Sequence, residues 1–259
     1  GPRSWQLEKR VCGRIELNRS RPEANLLPML IEPGATRYDL SFRLLGIPVR
    51  IHPMFWLFTI VLGYSPDLVD VLLWVAVVFV SILVHEMGHA LVIRAKGHQP
   101  RVTLYAMGGL ASWNPGWGPP VSASSMMQIS IAGPAAGFLL AGVVAGLLFG
   151  MDRTVHFFGF PIGRGPWVEP VLLHRVIFDL LYVNIFWGLI NLVPVYPLDG
   201  GQIAVAALGA RRAVPVSVAA GAAVAVGAFA IFRQTYLALL FGLLAFENYQ
   251  RLQLMRRPP

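Results

Sequence analysis

The sequence predicts an all-α polytopic membrane protein with about six transmembrane helices. Two observations lead to this fold class. Of the 259 residues, 56% are hydrophobic and only 13% are charged, whereas a soluble domain is about one quarter charged. The apolar residues are also gathered into stretches that are long enough to cross a hydrocarbon core of about 30 Å. We therefore expect a lipid bilayer as the surroundings of most of the chain.

Six stretches are predicted to span the membrane, at residues 53–64, 68–95, 122–150, 171–193, 214–232 and 236–254. The first is short, so we expect it to tilt, to thin the bilayer locally or to extend back to Ile47. With a cytosolic N-terminus, this arrangement leaves only Arg153, Arg164, Arg175 and Arg233 of the 21 Lys and Arg residues on the far side. That distribution fits the positive-inside rule. Both termini are expected in the cytosol of a bacterium or archaeon, with the chain in its plasma (inner) membrane.

The formal net charge of +8 does not predict a nucleic-acid partner. The basic residues lie beside the apolar stretches, where they set membrane topology, so we expect no nucleic acid to bind. Cys12 is the single cysteine, which excludes an intramolecular disulfide and a zinc site built from cysteines.

Two polar stretches predict short β-structure beside the membrane. Residues 38–51 combine apolar residues with a turn at 46–48, which favours a strand or hairpin before the first span. Residues 102–105 alternate and are β-prone, and Gly108-Gly109 then break the run. Here we expect a hairpin or an edge strand, whose open edge could pair with an unwound substrate. The alternative is an ordinary amphipathic loop.

A metal-binding motif lies inside the second apolar stretch, as HEMGH at residues 85–89. On a helix, His85 and His89 share one face and can bind one zinc ion. Glu86 lies next to the first ligand, where it can accept a proton from the attacking water. Ionisable groups are costly in lipid, so their presence at this depth indicates a functional site. The alternative is a set of polar side chains that neighbouring helices satisfy.

A zinc site with an open position needs a third protein ligand. The candidates are His52, His98, His156, His174 and the acidic residues. Asp199 stands out because Pro194 and Pro197 end the fourth apolar stretch just before it, and Gly200-Gly201 allow a tight turn. That turn can carry the carboxylate back into the membrane on the cytosolic side. Alternatively, Asp199 caps the helix that follows.

Two further features leave alternatives open. Gly133-Pro134 in the third span indicates either a kink that makes room beside the metal or a seam of close helix packing. Asn184 and Asn191 lie on roughly one face of the fourth span. Asn191 is a candidate for binding the substrate backbone, and Asn184 for bridging two helices.

Together the two motifs resemble the site-2 protease family of intramembrane zinc metalloproteases. The resemblance rests on HEMGH at 85–89 and on Asn-x-x-Pro-x-x-Pro-Leu-Asp-Gly at 191–200. Weaker similarity covers residues 41–53, Gly108-Gly109 and 132–134. It implies a three-helix catalytic core at 68–95, 122–150 and 171–193. The core would belong to a membrane protease domain at 51–255, after a cytosolic N-terminal segment at 1–50.

The resemblance also implies the chemistry. One Zn²⁺ would be bound by His85, His89 and Asp199, with Glu86 as the general base. The substrates would be single-span membrane proteins, such as anti-sigma factors or transcription-factor precursors. Many relatives carry a PDZ or a CBS domain, and we expect neither here, because the loop at 98–120 is too short for a PDZ domain and the chain ends soon after the sixth span.

Substrate contacts are expected at Asn191, Gly108 and Gly109. The sequence leaves open whether the chain forms a homo-oligomer. Three functions compete with intramembrane proteolysis. A membrane-anchored metallopeptidase would cut soluble peptides, but the depth of the motif argues against it. A metal or ion transporter would use the same His/Asp cluster, but the inverted repeats typical of transporters are missing from the sequence. A pseudoprotease would bind clients without cutting them, and the intact Glu86 argues against that.

Overall fold

The computed structural model describes residues 33–114 and 118–256. The elements are β1 (Leu40–Leu44), β2 (Ile47–Ile51), α1 (Pro53–Leu62), α2 (Leu68–Ala95), β3 (Arg101–Tyr105), β4 (Gly108–Ser112), α3 (Ala123–Gly150), β5 (Thr154–Phe157), β6 (Phe160–Gly163), α4 (Val171–Asn191), α5 (Asp199–Leu208), α6 (Ala210–Ala230) and α7 (Thr235–Arg256). The predicted fold class, a mostly helical membrane protein with a few strands, is confirmed. The expectation for the N-terminal segment falls largely on residues 1–32, outside the described ranges.

Four helices in the described part of the chain, α2, α3, α4 and α6, are long and apolar enough to cross a membrane. The chain is therefore an integral membrane protein. Helix α1 has only 10 residues and is about 15 Å long, half of a hydrocarbon core. Helix α7 has 22 residues, but Glu247, Arg251 and Arg256 make its C-terminal half polar. Four of the six predicted spans thus coincide with helices that could cross a membrane, and the count of six stays a prediction.

Side-chain caps determine where the two longest helices begin. The Asp67 carboxylate accepts the Val69 N–H (2.8 Å) at the start of α2, and the Ser122 hydroxyl accepts the Ser125 N–H (3.1 Å) at the start of α3. Such caps satisfy main-chain donors that have no partner within the helix. Both helices consequently begin where the sequence predicts, and α3 continues through Pro134 as one helix.

Helices α2 and α3 pack closely through glycine. A Cβ atom on Gly88 would lie 2.4 Å from the Ala132 carbonyl oxygen, so only a glycine lets the two backbones approach this far. Small residues at such seams are typical of helix packing in membranes. Of the two alternatives for residues 132–134, the structure therefore supports the packing seam.

The strands near the metal-binding motif form a four-stranded sheet in the order β1-β2-β3-β4. The pairs β1–β2 and β3–β4 are antiparallel, and β2–β3 is parallel. Parallel neighbours need a long crossover, which α1 and α2 provide. Both predicted β-regions are confirmed. Among the described residues, however, the open edge on this side of the sheet belongs to β4, because β3 lies between β2 and β4.

Two details of the predicted hairpins are wrong. The first turn lies at Leu45-Gly46, where both φ angles are positive (51° and 80°), and not at 46–48. A turn of this kind matches the twist of the strands it joins, so Ile47 and Pro48 are free to begin β2. Gly108-Gly109 do not end the β-structure, because they are the first two residues of β4.

One face of the sheet packs on α2. The core cluster there consists of Ile47, Val49, Ile51, Phe55, Ile82, Met87, Ala90, Val102 and Leu104, all at most 5% exposed. These side chains alternate along β2 and β3, as expected for strands with one face on a core. The packing holds the sheet against the turns of α2 that carry the metal-binding motif.

A second hairpin, β5–β6, lies between α3 and α4. Phe158 and Gly159 form its turn with positive φ angles of 50° and 83°. Val155 is fully buried and packs with Leu148 and Val168. The signal available in the sequence was a glycine between two short runs that contain aromatic and β-branched residues.

Candidate metal centre

Three side chains from two separate parts of the chain converge inside the protein. His85 and His89 lie one turn apart on α2, with their Nε2 atoms 3.2 Å apart. The Asp199 Oδ2 atom lies 3.2 Å from Nε2 of His85 and 3.3 Å from Nε2 of His89. All three residues are buried. Across residues 33–114 and 118–256, no other group of three His, Cys, Asp or Glu side chains could hold a metal ion.

The protonation of His89 points to a cation between these atoms. Its Nδ1 atom lies 2.6 Å from the Ile129 carbonyl oxygen, which can only accept a hydrogen bond. Nδ1 therefore carries the proton, and in the neutral imidazole Nε2 presents a lone pair to the centre. Asp199 Oδ2 is buried and has no hydrogen-bond partner in the described residues. Lone pairs this close in a buried site are stable only around a positive charge.

The spacing fits zinc. Ligand atoms 2.0–2.1 Å from a tetrahedral ion are separated from one another by about 3.3 Å, which is the separation of the three atoms here. Two imidazoles and one carboxylate are also the donor set of catalytic zinc sites that keep a fourth position open. The residues present thus fit a single Zn²⁺, as the sequence predicts.

The alternative role of Asp199 as a helix cap is wrong. Helix α5 begins at Asp199 itself, and the capping position before it is Leu198, which makes no side-chain cap hydrogen bond. The carboxylate points to the two histidines instead. Two glycines allow the start of α5 to pack closely on the preceding loop in this orientation. A Cβ atom on Gly200 or Gly201 would lie 2.1–2.3 Å from main-chain atoms of the loop between α4 and α5.

Glu86 lies against the last strand of the sheet. The backbone N–H of Ala111 donates a hydrogen bond to its carboxylate. A Cβ atom on Gly109 would lie 2.6 Å from Oε1 of Glu86. Glycine at this position is therefore what allows β4 to pass directly beside the acid. Glu86 is only 5% exposed, so its carboxylate is buried next to the metal ligands.

The register of the strands shows which edge of the sheet faces Glu86. The His52 N–H donates to the Leu104 carbonyl (2.8 Å), so the main chain of Leu104 points toward β2. Its partner on β4 is Gly109, whose main-chain groups, like those of Ala111, consequently point away from β3. The open edge of β4 thus runs beside Glu86.

The packing of α3 against α2 also shapes the centre. A Cβ atom on Gly133 would lie 2.1 Å from Nε2 of His89, and the Ile129 carbonyl orients the same imidazole. The sequence left open whether Gly133 belongs to a kink that makes room beside the metal or to a packing seam, and it did not identify Ile129. No local pattern marks a main-chain carbonyl as a histidine partner.

Gly108 and Asn191 both contact Trp187 on α4. A Cβ atom on Gly108 would lie 2.6 Å from Cζ2 of Trp187, and its φ of 106° requires glycine. The Asn191 amide donates to the Trp187 carbonyl (2.9 Å). Asn184 donates to the Ser81 hydroxyl (2.9 Å) on α2, which confirms that it bridges two helices. The substrate contacts expected at Gly108, Gly109 and Asn191 stay predictions.

The remaining histidines lie outside the centre. His52 caps α1 by accepting the Met54 N–H (3.2 Å). The His98 ring packs against Trp113. His156 is exposed, and His174 is partly buried near the start of α4. Each was a candidate third ligand, and none joins the metal group.

Comparisons with known proteins agree with this site. Residues 73–233 match the profile of peptidase family M50. A zinc metalloprotease of Methanocaldococcus jannaschii is 27% identical over 166 residues, which cover 62% of this chain and 43% of that protein. A putative zinc metalloprotease of Synechocystis is 30% identical over 175 residues, covering 62% and 41%. A putative zinc metalloprotease of Mycobacterium tuberculosis is 32% identical over 200 residues, covering 70% and 46%.

The chain thus spans less than half the length of these curated relatives. The solved site-2 protease from Methanocaldococcus jannaschii has a similar fold, with a TM-score of 0.53 and 23% identity. The alignment covers 83% of this chain and 95% of that one.

Proposed function

The chain belongs to peptidase family M50, and from this premise we propose that it is an intramembrane zinc metalloprotease that cuts single-span membrane proteins. One observation carries the proposal. His85, His89 and Asp199 converge to within 3.3 Å of one another inside a membrane protein, and Glu86 lies buried beside them at an open sheet edge. This is the donor set of a hydrolytic zinc site with a carboxylate next to it.

The proposed roles follow from the geometry. His85, His89 and Asp199 hold the zinc ion, which when bound supplies a Lewis acid and activates water. The Glu86 carboxylate accepts a proton from the attacking water. At the same time, the oxygen of that water bonds to the scissile carbonyl carbon. When the C–N bond breaks, Glu86 gives that proton to the leaving amine. The Ala111 N–H keeps the carboxylate oriented through both transfers.

Substrate binding is proposed at the open edge of β4. A transmembrane substrate must unwind before cleavage, because each carbonyl of a helix is hydrogen-bonded within it. The outward main-chain groups of Gly109 and the outward carbonyl of Ala111 can replace those bonds by pairing with an extended substrate strand, while the Ala111 N–H stays on Glu86. Gly108 begins this strand against Trp187 of α4, where we propose that it contacts the substrate, and the Asn191 amide contacts the substrate backbone. What supports this is the register of β4 beside Glu86.

The proposed orientation places the site nearer the cytosol. His85 lies about 15 Å along α2 from Ala95, which basic residues follow at the predicted cytosolic end. We propose that the chain resides in the plasma membrane of a bacterium or archaeon with both termini in the cytosol. The segment 1–50 would precede a membrane protease domain at 51–255. The substrates would be transcription-factor precursors or anti-sigma factors released by regulated cleavage.

The test uses purified protein in detergent with a single-span substrate. Wild type, Glu86→Gln and Asp199→Ala are compared for cleavage and for bound zinc, with Glu247→Gln on α7 as a matched carboxylate control. We expect cleavage by wild type and by the control. Glu86→Gln should keep its zinc and lose cleavage, and Asp199→Ala should lose both.

Two results would contradict the proposal. Cleavage by Glu86→Gln at the wild-type rate would show that Glu86 is not the general base. Wild-type protein that transports zinc in proteoliposomes but hydrolyses no substrate would instead support the transporter.

A further inference from the structure

We infer that helices α6 and α7, which contribute no metal ligand, hold the zinc ligand Asp199 in place through two buried side chains, Ser217 and Asn248. Both act on one residue of the loop at 192–198, named here the ligand loop. The inference rests on the proposed role of Asp199 at the zinc site. It makes Ser217 and Asn248 positioning residues of that site.

Both main-chain groups of one loop residue are bound by buried side chains. The Tyr196 N–H donates to the Ser217 hydroxyl of α6 (3.2 Å). The Asn248 amide of α7 donates to the Tyr196 carbonyl (2.6 Å). Ser217 and Asn248 are both 0% exposed. Burying a polar side chain this deeply is costly, and the Asn248 Oδ1 atom even lacks a hydrogen-bond partner among the described residues. The presence of Asn248 here therefore indicates a specific task.

Asn248 is itself held in a single orientation. Its amide nitrogen also donates to the Leu244 carbonyl one turn earlier in α7 (2.8 Å), so both of its N–H groups are used. One turn later, the Arg251 guanidinium lies 4.4 Å from the centre of the Tyr196 ring, a cation–π contact. Helix α7 thus contacts both the main chain and the side chain of Tyr196.

The short segment between Tyr196 and the metal ligand Asp199 is tightly constrained. Only two residues separate Tyr196 from Asp199, and the Leu198 N–H closes a tight turn onto the Val195 carbonyl (2.8 Å). A Cβ atom on Gly201 would lie 2.3 Å from the Tyr196 nitrogen, so α5 packs directly on this residue. Any shift of Tyr196 therefore moves the start of α5 and its first side chain, Asp199.

The experiment measures zinc affinity rather than cleavage. Asn248→Leu keeps a similar side-chain volume and removes the donor, and Ser217→Ala removes the hydroxyl. Leu244→Ala is the control, because this buried residue (2% exposed) lies one turn away in α7 and makes no side-chain hydrogen bond to the ligand loop. Each protein is titrated with a zinc chelator in detergent, and the melting temperature of the metal-free form is recorded.

We expect Asn248→Leu to weaken zinc binding by about 10-fold or more, as substitutions of outer partners of metal ligands do. Ser217→Ala should shift it in the same direction. Leu244→Ala should lower the melting temperature, because it leaves a cavity. Its zinc affinity should stay within about 3-fold of wild type, a smaller change than the roughly 10-fold loss expected for Asn248→Leu.

Unchanged zinc affinity in both Asn248→Leu and Ser217→Ala would overturn the inference. So would a loss of affinity that follows melting temperature across all the variants, Leu244→Ala included. If Asn248→Leu does not fold, Ser217→Ala decides alone. Asp199→Ala separates the two proposals: if it binds zinc normally, the zinc site itself is wrong. If it loses zinc while Asn248→Leu and Ser217→Ala do not, only the positioning role fails.

Discussion

The close contact between Gly133 and His89 gives the sharpest test of the metal centre. In Gly133→Ala the new methyl carbon would start 2.1 Å from Nε2 of His89, and a real Cβ contact is never shorter than about 3.0 Å. The imidazole or α3 must therefore move by at least about 0.9 Å. Zinc ligands tolerate deviations of about 0.2 Å, so the shift exceeds the tolerance several-fold.

The expected result is a loss of zinc affinity of at least about 100-fold and of cleavage by a similar factor, because a misplacement of 1 Å costs about that much in rate. Zinc affinity is measured by chelator competition and cleavage with a single-span substrate. Gly142→Ala in the same helix is the matched control, since nothing lies within 4 Å of its added Cβ. It should keep zinc and gain up to about 1 kcal/mol of helix propensity.

Wild-type zinc affinity in Gly133→Ala would refute this reasoning. It would mean that His89 does not point its Nε2 atom at α3 in the working protein, and the three-ligand geometry would have to be revised. Equal losses in Gly133→Ala and Gly142→Ala would also refute it, because they would assign the effect to α3 as a whole.

Three further predictions address the base, the metal and the sheet. Gly109→Ala places a Cβ atom 2.3 Å from Cγ of Glu86. We expect zinc to stay bound and cleavage to fall by about 100-fold. Unchanged cleavage would show that β4 does not position Glu86. Removal of zinc with a chelator should abolish cleavage, and added Zn²⁺ should restore it; cleavage that persists in metal-free protein would exclude a zinc mechanism. Hydrogen bonds from Thr36 and the ion pair with Arg50 lower the pKa of Asp39 from 3.8 to about 2. Asp39 therefore stabilises the fold fully above its unfolded pKa, and this contribution is lost as the pH falls toward 2. The melting temperatures of wild type and Asp39→Asn should differ at pH 6 and converge near pH 2, and a constant gap would contradict the assignment.

The metal motif shows how far local pattern determines structure. His85 and His89 are four residues apart in an apolar helix, so the helical period alone places them on one face. The starts of α2 and α3 follow from Asp67 and Ser122, because a capping side chain acts on the N–H groups next to it in sequence. These features depend on neighbours within one or two turns, and the sequence predicts them correctly.

Chemistry extended the prediction beyond local structure. A zinc site needs a third ligand, and a carboxylate after a proline-broken helix end on the same side of the membrane was the best candidate. Asp199 does lie 3.2–3.3 Å from both histidines. The sequence named the residue from its donor type and its topology, without any knowledge of the distance.

Contacts between distant segments could be decided only by the tertiary structure. The sequence by itself determined the apolar helices, the HEMGH face and the candidate ligand Asp199, because these depend on periodicity and residue chemistry. It did not show that β4 is the open edge beside Glu86, that Gly133 makes room for His89, or that Asn248 binds Tyr196. Each of these depends on which surfaces pack together, and many pairings are compatible with one local pattern. Only the folded chain, in which buried polar groups must find partners and backbones must fit without overlap, selects among them.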